Sequence, residues 1–212
     1  MKKVIIFDFD GVLADSFDTF YPLVEDAMEQ IGLSITPKKY RDLFIDNVHK
    51  GFKNLIKNKK KLGKFLEFRR THYDKYYYDK KLKAKLFPKA SEFIKVISRK
   101  YILSIASSGK QDNIRDLLKE EKIEKLFGLI LADSNHSKEI MIREISNKFR
   151  CKPEQTFFIT DTVGDIKVAK KCGLKTIAVT WGFHNKKYLR AAKPDYIASS
   201  FQQLTQILNL RC

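Results

Sequence analysis

Short apolar runs recur along this chain at intervals that leave room for one helix between successive runs, and that spacing constrains the fold more than any other feature. The runs are VIIF at 4–7, YILSIA at 101–106, LILA at 129–132, TFFIT at 156–160 and KTIAVT at 175–180, with a weaker DYIAS at 195–199. Each has the length of a buried strand and is bounded by polar or turn residues. Between the later runs lie SGKQDNIRDLLKEEKI, SKEIMIREISNKFR and TVGDIKVAKKCG, all of helical length, the last closing on Gly173 as a C-cap glycine. Strand and helix in alternation predict a parallel, doubly wound α/β sheet with helices on both faces.

From about Asp15 to Phe87 that rhythm breaks, and the interval reads as wholly helical. SFDTFYPLVEDAMEQIG brings Phe17, Phe20, Tyr21, Val24, Ala27, Met28 and Ile31 near one face, and Thr36-Pro37 reads as an N-cap followed by proline at the first helical position. KFLEFRRTHYDKYYYDKKLKAKLF reads as a long aromatic and basic helix ending just before Pro88. Its tyrosines, Tyr76, Tyr77 and Tyr78 among them, are weighed as packing residues ahead of a base-stacking platform. The expected organisation is a core of residues 1–14 and 88–212 with a helical insert at 15–87.

Charge follows the same division. The chain carries a formal +17, of which a net +12 lies between Lys50 and Lys89, while Asp15 to His49 carries a net −4. A lysine-rich solvated face is the plain reading; a field that gathers anionic ligands or nucleic acid is the functional one. With 212 residues and 43% apolar character the chain can bury a sizeable core. The apolar run after Lys2 and Lys3 is too short for a signal peptide, nothing reaches membrane-spanning length, and a cytoplasmic location is expected. Cys151, Cys172 and Cys212 form no metal or disulfide pattern and read as packed or surface thiols.

The chemistry gathers where the apolar runs end. VIIF runs directly into Asp8 and Asp10, two acids that need a counter-charge; Mg²⁺ is the natural one, since it enters sites holding one or two carboxylates and a substrate phosphate. Gly11 permits a turn that turns main-chain N–H groups toward an anion. YILSIA runs into Ser107, Ser108 and Gly109, a hydroxyl and backbone donors suited to phosphate, although taken alone an N-cap serine is the preferred reading. Lys138 opens a helix after LILA. Asp161 and Asp165 follow TFFIT; both could face one metal, or serve as an N-cap and a first-turn acid.

Taken in order, DFDGVLADS, the serines after YILSIA, Lys138 and DTVGD resemble the four motifs of the haloacid dehalogenase-like hydrolase superfamily over nearly the whole chain. The insert resembles the helical cap of the subgroup that includes phosphoglycolate phosphatase and β-phosphoglucomutase, and IAVTWGFHN resembles the former. The resemblance implies a Rossmann-like core and a Mg²⁺-dependent phosphatase for a small phosphorylated metabolite. It implies Asp8 as nucleophile and Asp10 as general acid and base. The metal would be held by the Asp8 carboxylate, the Asp10 main-chain carbonyl and Asp161, with Asp165 direct or through water; Ser107, Ser108 and Lys138 would hold the phosphoryl group, and the cap would close over the site. Substrate choice would fall to cap residues, with Asn47, His49 and Lys50 as candidates.

Several alternatives are separable. DFDGVLADSFDT is not an EF-hand, because Leu13 takes the glycine position and Thr19 that of the final glutamate. No P-loop or dinucleotide fingerprint is present. A receiver-type signalling domain places its phosphorylated acid on a middle strand and its lysine last, unlike this order. An acid at position 10 points to phosphate esters, away from dehalogenases and phosphonate-cleaving relatives. A sugar phosphomutase stays open, and a nucleic-acid-binding protein rests on the basic segment alone. The sequence leaves the oligomeric state open.

Overall fold

The computed structural model describes residues 3–133 and 137–209, and the chain divides into two compact units, Met1–Asp15 with Leu86–Cys212, and Ser16–Lys85. In chain order the elements are β1 (Val4–Phe7), β2 (Ala14–Asp15), α1 (Phe17–Glu29), α2 (Pro37–Asp42), α3 (Val48–Leu55), α4 (Lys59–Tyr77) and β3 (Lys85–Leu86). They continue through α5 (Ala90–Ile97), β4 (Ile102–Ser107), α6 (Gln111–Glu120), β5 (Phe127–Ala132), α7 (Lys138–Phe149) and β6 (Thr156–Thr160). The last are α8 (Val163–Lys171), β7 (Lys175–Val179), α9 (Lys186–Ala191), β8 (Tyr196–Ala198) and α10 (Phe201–Asn209).

The larger unit is a six-stranded parallel sheet in the order β5-β4-β1-β6-β7-β8. Numbered by appearance within the sheet this is 3-2-1-4-5-6, the doubly wound Rossmann order, whose direction reverses at its first strand. The unbroken apolar run of β1 follows from burial on both faces. Ile5 and Phe7 pack with α5, α6 and α10, while Val4 and Ile6 pack with Met141, Ile142 and Ile145 of α7 and Ala169 of α8. Phe7 meets Phe93 and Phe127 edge-on, each at 6.3 Å between ring centres; burying a side chain of this size contributes about 1.5–3 kcal/mol. Gly173, at φ +76, closes α8 as anticipated, its N–H reaching Lys170 O and that of Leu174 reaching Ala169 O.

The smaller unit is an aromatic-cored set of the four helices α1–α4. Tyr40 lies against Phe17, Phe44 and Phe52, and Phe52 packs on Phe65 at 4.7 Å. Thr36 Oγ1 accepts the Lys39 N–H, so the Thr36-Pro37 cap forms. Tyr76 and Tyr77 are buried, and the Tyr76 hydroxyl donates to Asp26, which supports packing over stacking; only Tyr78 of the three is exposed. Asn47 caps α3 by accepting the Lys50 N–H, which commits its side chain locally. His49 is half-buried, and burial, Arg69 and Lys53 together lower its pKa; Lys50 is exposed.

Two expectations for this interval are corrected. It is not wholly helical, because β2 and β3 pair as a two-stranded sheet at its ends. The aromatic and basic helix does not continue to Phe87: α4 ends at Tyr77. Asp79 stops it, its carboxylate taking the Lys81 N–H at 2.8 Å and its carbonyl those of Leu82 and Lys83, a local turn that competes with helix continuation. Among the described residues no helix is long and apolar enough to cross a membrane. Cys151 and Cys172 are free and partly buried; Cys212 lies outside the described residues.

Candidate active site

In a sheet of this order, ligand chemistry belongs outside the carboxyl ends of the strands beside the reversal. Asp8 follows β1 directly, its N–H still on the ladder to Ile159 O at 2.9 Å. Its carboxylate is buried; Oδ1 accepts the Phe9 N–H at 2.8 Å and Oδ2 meets Lys138 Nζ at 2.5 Å. Lys138 opens α7 beyond β5, where Ser137 caps the helix by accepting the Ile140 N–H, so its own side chain is left for the site. The same ammonium reaches Asp165 Oδ2 at 2.6 Å. One lysine thus bridges carboxylates from two different strand ends.

Asp161 and Asp165 divide the work at the end of β6. Thr162, not Asp161, caps α8 by accepting the Asp165 N–H at 3.3 Å. Asp161 is therefore spared the capping role, and its side chain is fully buried. Its Oδ2 accepts the Phe183 N–H at 2.6 Å, while among the described residues its buried Oδ1 has no hydrogen-bond partner. A buried carboxylate oxygen left unpaired costs the full desolvation of that atom. Thr160 Oγ1 donates to Asp165 Oδ2 at 3.3 Å, which helps fix the second acid.

The charges are strongly coupled in consequence. Burial drives Asp8 well above the ordinary carboxylate range; Lys138 pulls it back in part, and the charges of Asp165 and Asp161 push it further up. Burial also raises Asp161 to about 7, against the lowering effect of the Phe183 amide. Asp165 goes the other way: burial would raise it, but Lys138 and hydrogen bonds from Asp8, Lys138 and Thr162 hold it below the usual value. Burial disfavours the Lys138 ammonium, yet Asp165 and Asp8 together raise its pKa. Such opposed shifts among acids in one cluster are a mark of functional sites.

The remaining candidates stand close by. Ser107 ends β4 and is buried, and its Oγ accepts the Gly109 N–H at 3.0 Å. Gly109 Cα faces both Asp10 and Ser107: a methyl group there would lie 3.3 Å from Asp10 Oδ2 and 3.4 Å from Ser107 Oγ. The loop therefore brings Asp10 and Ser107 together. Neither serine is the cap of α6, a position that falls to Lys110.

The Gly11 N–H donates to Ala14 O at 2.8 Å and the Gly109 N–H to Ser107 Oγ, so both amides are engaged within their own loops. Gly11 matters for a different reason: at φ +75 its Cα abuts Asp161, and a Cβ would fall 2.7 Å from that residue's Cγ. Ser108 is exposed, and among the described residues no acceptor takes its amide.

The site's donors to a cation are all oxygens, which suits a hard divalent ion such as Mg²⁺. Among the described residues no three His, Cys, Asp or Glu form a metal cluster by side chains alone. The orphaned Asp161 Oδ1 is the atom that most needs a cation. Residues that sequence reasoning did not single out are Thr160, Thr162, Gly182, Phe183 and His184. WGFHN did stand out as a resemblance, but the contact between the Phe183 amide and Asp161 is made by backbone and leaves no side-chain signature.

Comparison with known proteins identifies the family. Residues 5–179 match the family described as haloacid dehalogenase-like hydrolase. A phosphoglycolate phosphatase of Synechococcus elongatus is 27% identical over 208 residues, covering 96% of each chain. One from Haemophilus influenzae is 26% identical, covering 97% of this chain and 98% of the relative. Among solved structures, a haloacid dehalogenase-like family protein of Streptococcus pneumoniae superposes with a TM-score of 0.85 at 26% identity, over 98% of both chains.

Proposed function

The chain belongs to the haloacid dehalogenase-like hydrolases, and we propose that within that family it is a Mg²⁺-dependent phosphatase of a small phosphomonoester, working through a phosphorylated Asp8. The observation that carries this reading is the buried Lys138 bridge between Asp8 and Asp165, beside a buried Asp161 with one oxygen unpartnered among the described residues. Relatives of similar length named phosphoglycolate phosphatase support the substrate class, and phosphoglycolate is the first ester to test.

The residues divide the reaction as follows. Asp8 Oδ attacks phosphorus, forming an acyl phosphate as the ester P–O bond breaks, and Asp10 gives its proton to the leaving alcohol. Asp10 then takes a proton from water, whose oxygen attacks the same phosphorus; the P–O bond to Asp8 breaks and phosphate leaves. Lys138 holds negative charge on the phosphoryl oxygens and orients Asp8, and the Ser107 hydroxyl with the Ser108 amide supplies neutral donors. Asp8, the Asp10 carbonyl, Asp161 and Asp165 would hold Mg²⁺, which when bound supplies the positive charge that keeps these acids ionised. A cytoplasmic setting fits a soluble metabolite as substrate.

The test is phosphate release from phosphoglycolate, sugar phosphates, nucleotides and cofactor phosphates, with Mg²⁺ and with chelator. Mg²⁺-dependent release from at least one ester is the expected result; retention on DNA that collapses with salt, with no ester hydrolysed, would reject the reading.

A further inference from the structure

The turn after β7 touches the site at several points without belonging to its chemistry. Trp181 Nε1 donates to Val12 O at 3.1 Å, tying the turn to the loop that follows Asp8 and Asp10. Gly182 packs so tightly that a Cβ would fall 2.6 Å from Asp161 Cβ. The Phe183 N–H donates to Asp161 Oδ2, and the His184 N–H donates to Asp161 O at 3.3 Å. His184 is buried, and its Nδ1 accepts the Val163 N–H at 3.0 Å. Val163 is the first residue of α8, so this imidazole satisfies one of the helix's orphan donors. Because Val163 donates, the imidazole carries its proton on Nε2. The ring also stacks on Tyr188 at 5.5 Å.

We propose that the Trp181–His184 turn is the positioning device of the metal site, committing Asp161 Oδ2 to the Phe183 amide so that Oδ1 alone is presented to the cation, with His184 as the positioning residue that locks the turn to α8. The inference rests on the phosphatase reading and extends it to residues that touch neither substrate nor cation. A carboxylate with both oxygens unrestrained rotates among ligation modes; one with Oδ2 fixed offers a single oxygen in a single direction. Outer partners of this kind typically change metal affinity by about 10–100-fold.

The experiment is Mg²⁺ titration calorimetry on the full chain without substrate, with melting in chelator measured alongside. His184→Asn places an oxygen near the Nδ1 position and should bind Mg²⁺ within a few-fold of wild type. His184→Gln places its oxygen near the Nε2 position instead and, like His184→Leu, should bind about 10–100-fold more weakly. The Asn and Gln variants decide the matter even where the Leu variant fails to fold. Equal Mg²⁺ affinity for the Asn and Gln variants, or a Leu variant that melts lower yet binds as wild type, would show a purely structural histidine and overturn the proposal. Wild type that neither binds Mg²⁺ nor needs it for ester hydrolysis would overturn the phosphatase reading itself.

Discussion

Asp161 is the residue whose ionisation should be visible without any substrate. Its carboxyl is fully buried, and burial raises it from the ordinary 3.8 to about 7 in the metal-free protein. The sign of the consequence is fixed. Below about pH 4 folded and unfolded chains both hold the proton, and there is no penalty; between about 4 and 7 only the folded chain holds it, so stability falls as pH rises; above 7 the loss is complete. At 1.36 kcal/mol for each pH unit of difference between the two states, the total is about 4 kcal/mol. Asp161→Asn keeps the shape and cannot ionise, so it lacks this loss.

The measurement is the melting temperature of wild type and Asp161→Asn in chelator from pH 4 to 8.5. For a chain of this size 1 kcal/mol moves the midpoint by about 2–4 °C, so the variant should gain about 8–16 °C on wild type between the ends of that range. Asp8 is raised and Asp165 lowered in wild type; both acids are kept in the variant, so their contributions should largely subtract. The Asp161 charge also pushes Asp8 up, so its removal relieves that acid in the same direction. Mg²⁺ should then stabilise wild type and leave the variant nearly unchanged. A difference between the two proteins that stays constant with pH would refute the buried, proton-holding carboxyl.

Asp8→Asn should fold, as judged by circular dichroism, and lose turnover by several orders of magnitude; wild-type phosphate release from it would exclude Asp8 as nucleophile. Asp10→Asn should slow alkyl esters by roughly 10²–10⁴-fold, and aryl esters less, because a good leaving group needs no proton; equal losses in the phosphoenzyme-forming step would exclude the acid role. The basic segment is tested by salt. Lys59, Lys60 and Lys61 are exposed in the first turn of α4, where they oppose the helix dipole, so helix stability does not explain them. Raising ionic strength from about 0.01 to 0.15 M should lower kcat/KM more for a bisphosphate than for a monophosphate, as the screening length falls from about 30 to about 8 Å. Charge reversal at the three lysines should flatten that difference, and identical slopes before and after reversal would leave a solvated surface.

How much of this was legible follows from where the information sits. The sheet was readable because burial on both faces forces continuous apolar runs: VIIF and TFFIT coincide with β1 and β6, and the other runs differ from their strands by a residue or two. Alternate burial on β1, Ile5 and Phe7 to one side and Val4 and Ile6 to the other, is the physical content of that pattern. The end of α4 was not readable from periodicity, since YYYDKKLKAKLF continues an amphipathic pattern that a single Asx turn at Asp79 interrupts.

The site divides along the same line. Asp8, Lys138, Asp161 and Asp165 were singled out because each is a charged side chain at or just beyond a strand end; in the structure Lys138 bridges Asp8 and Asp165, and the Asp161 charge acts on Asp8. What decides how they act was out of reach. The N–H groups of Gly11 and Gly109 bond within their own loops, and a sequence does not record which acceptor a backbone amide meets. The division of capping between Asp161 and Thr162 was equally undetermined, because both residue types serve at an N-cap. Thr162 took it, and that outcome leaves Asp161 buried with one oxygen held by Phe183 and the other unpaired. Such an arrangement is costly by itself, and on the proposed reading a bound cation would offset that cost. The pH titration of stability and the histidine variants therefore probe a single design from two sides, the charge on Asp161 and the turn that aims it.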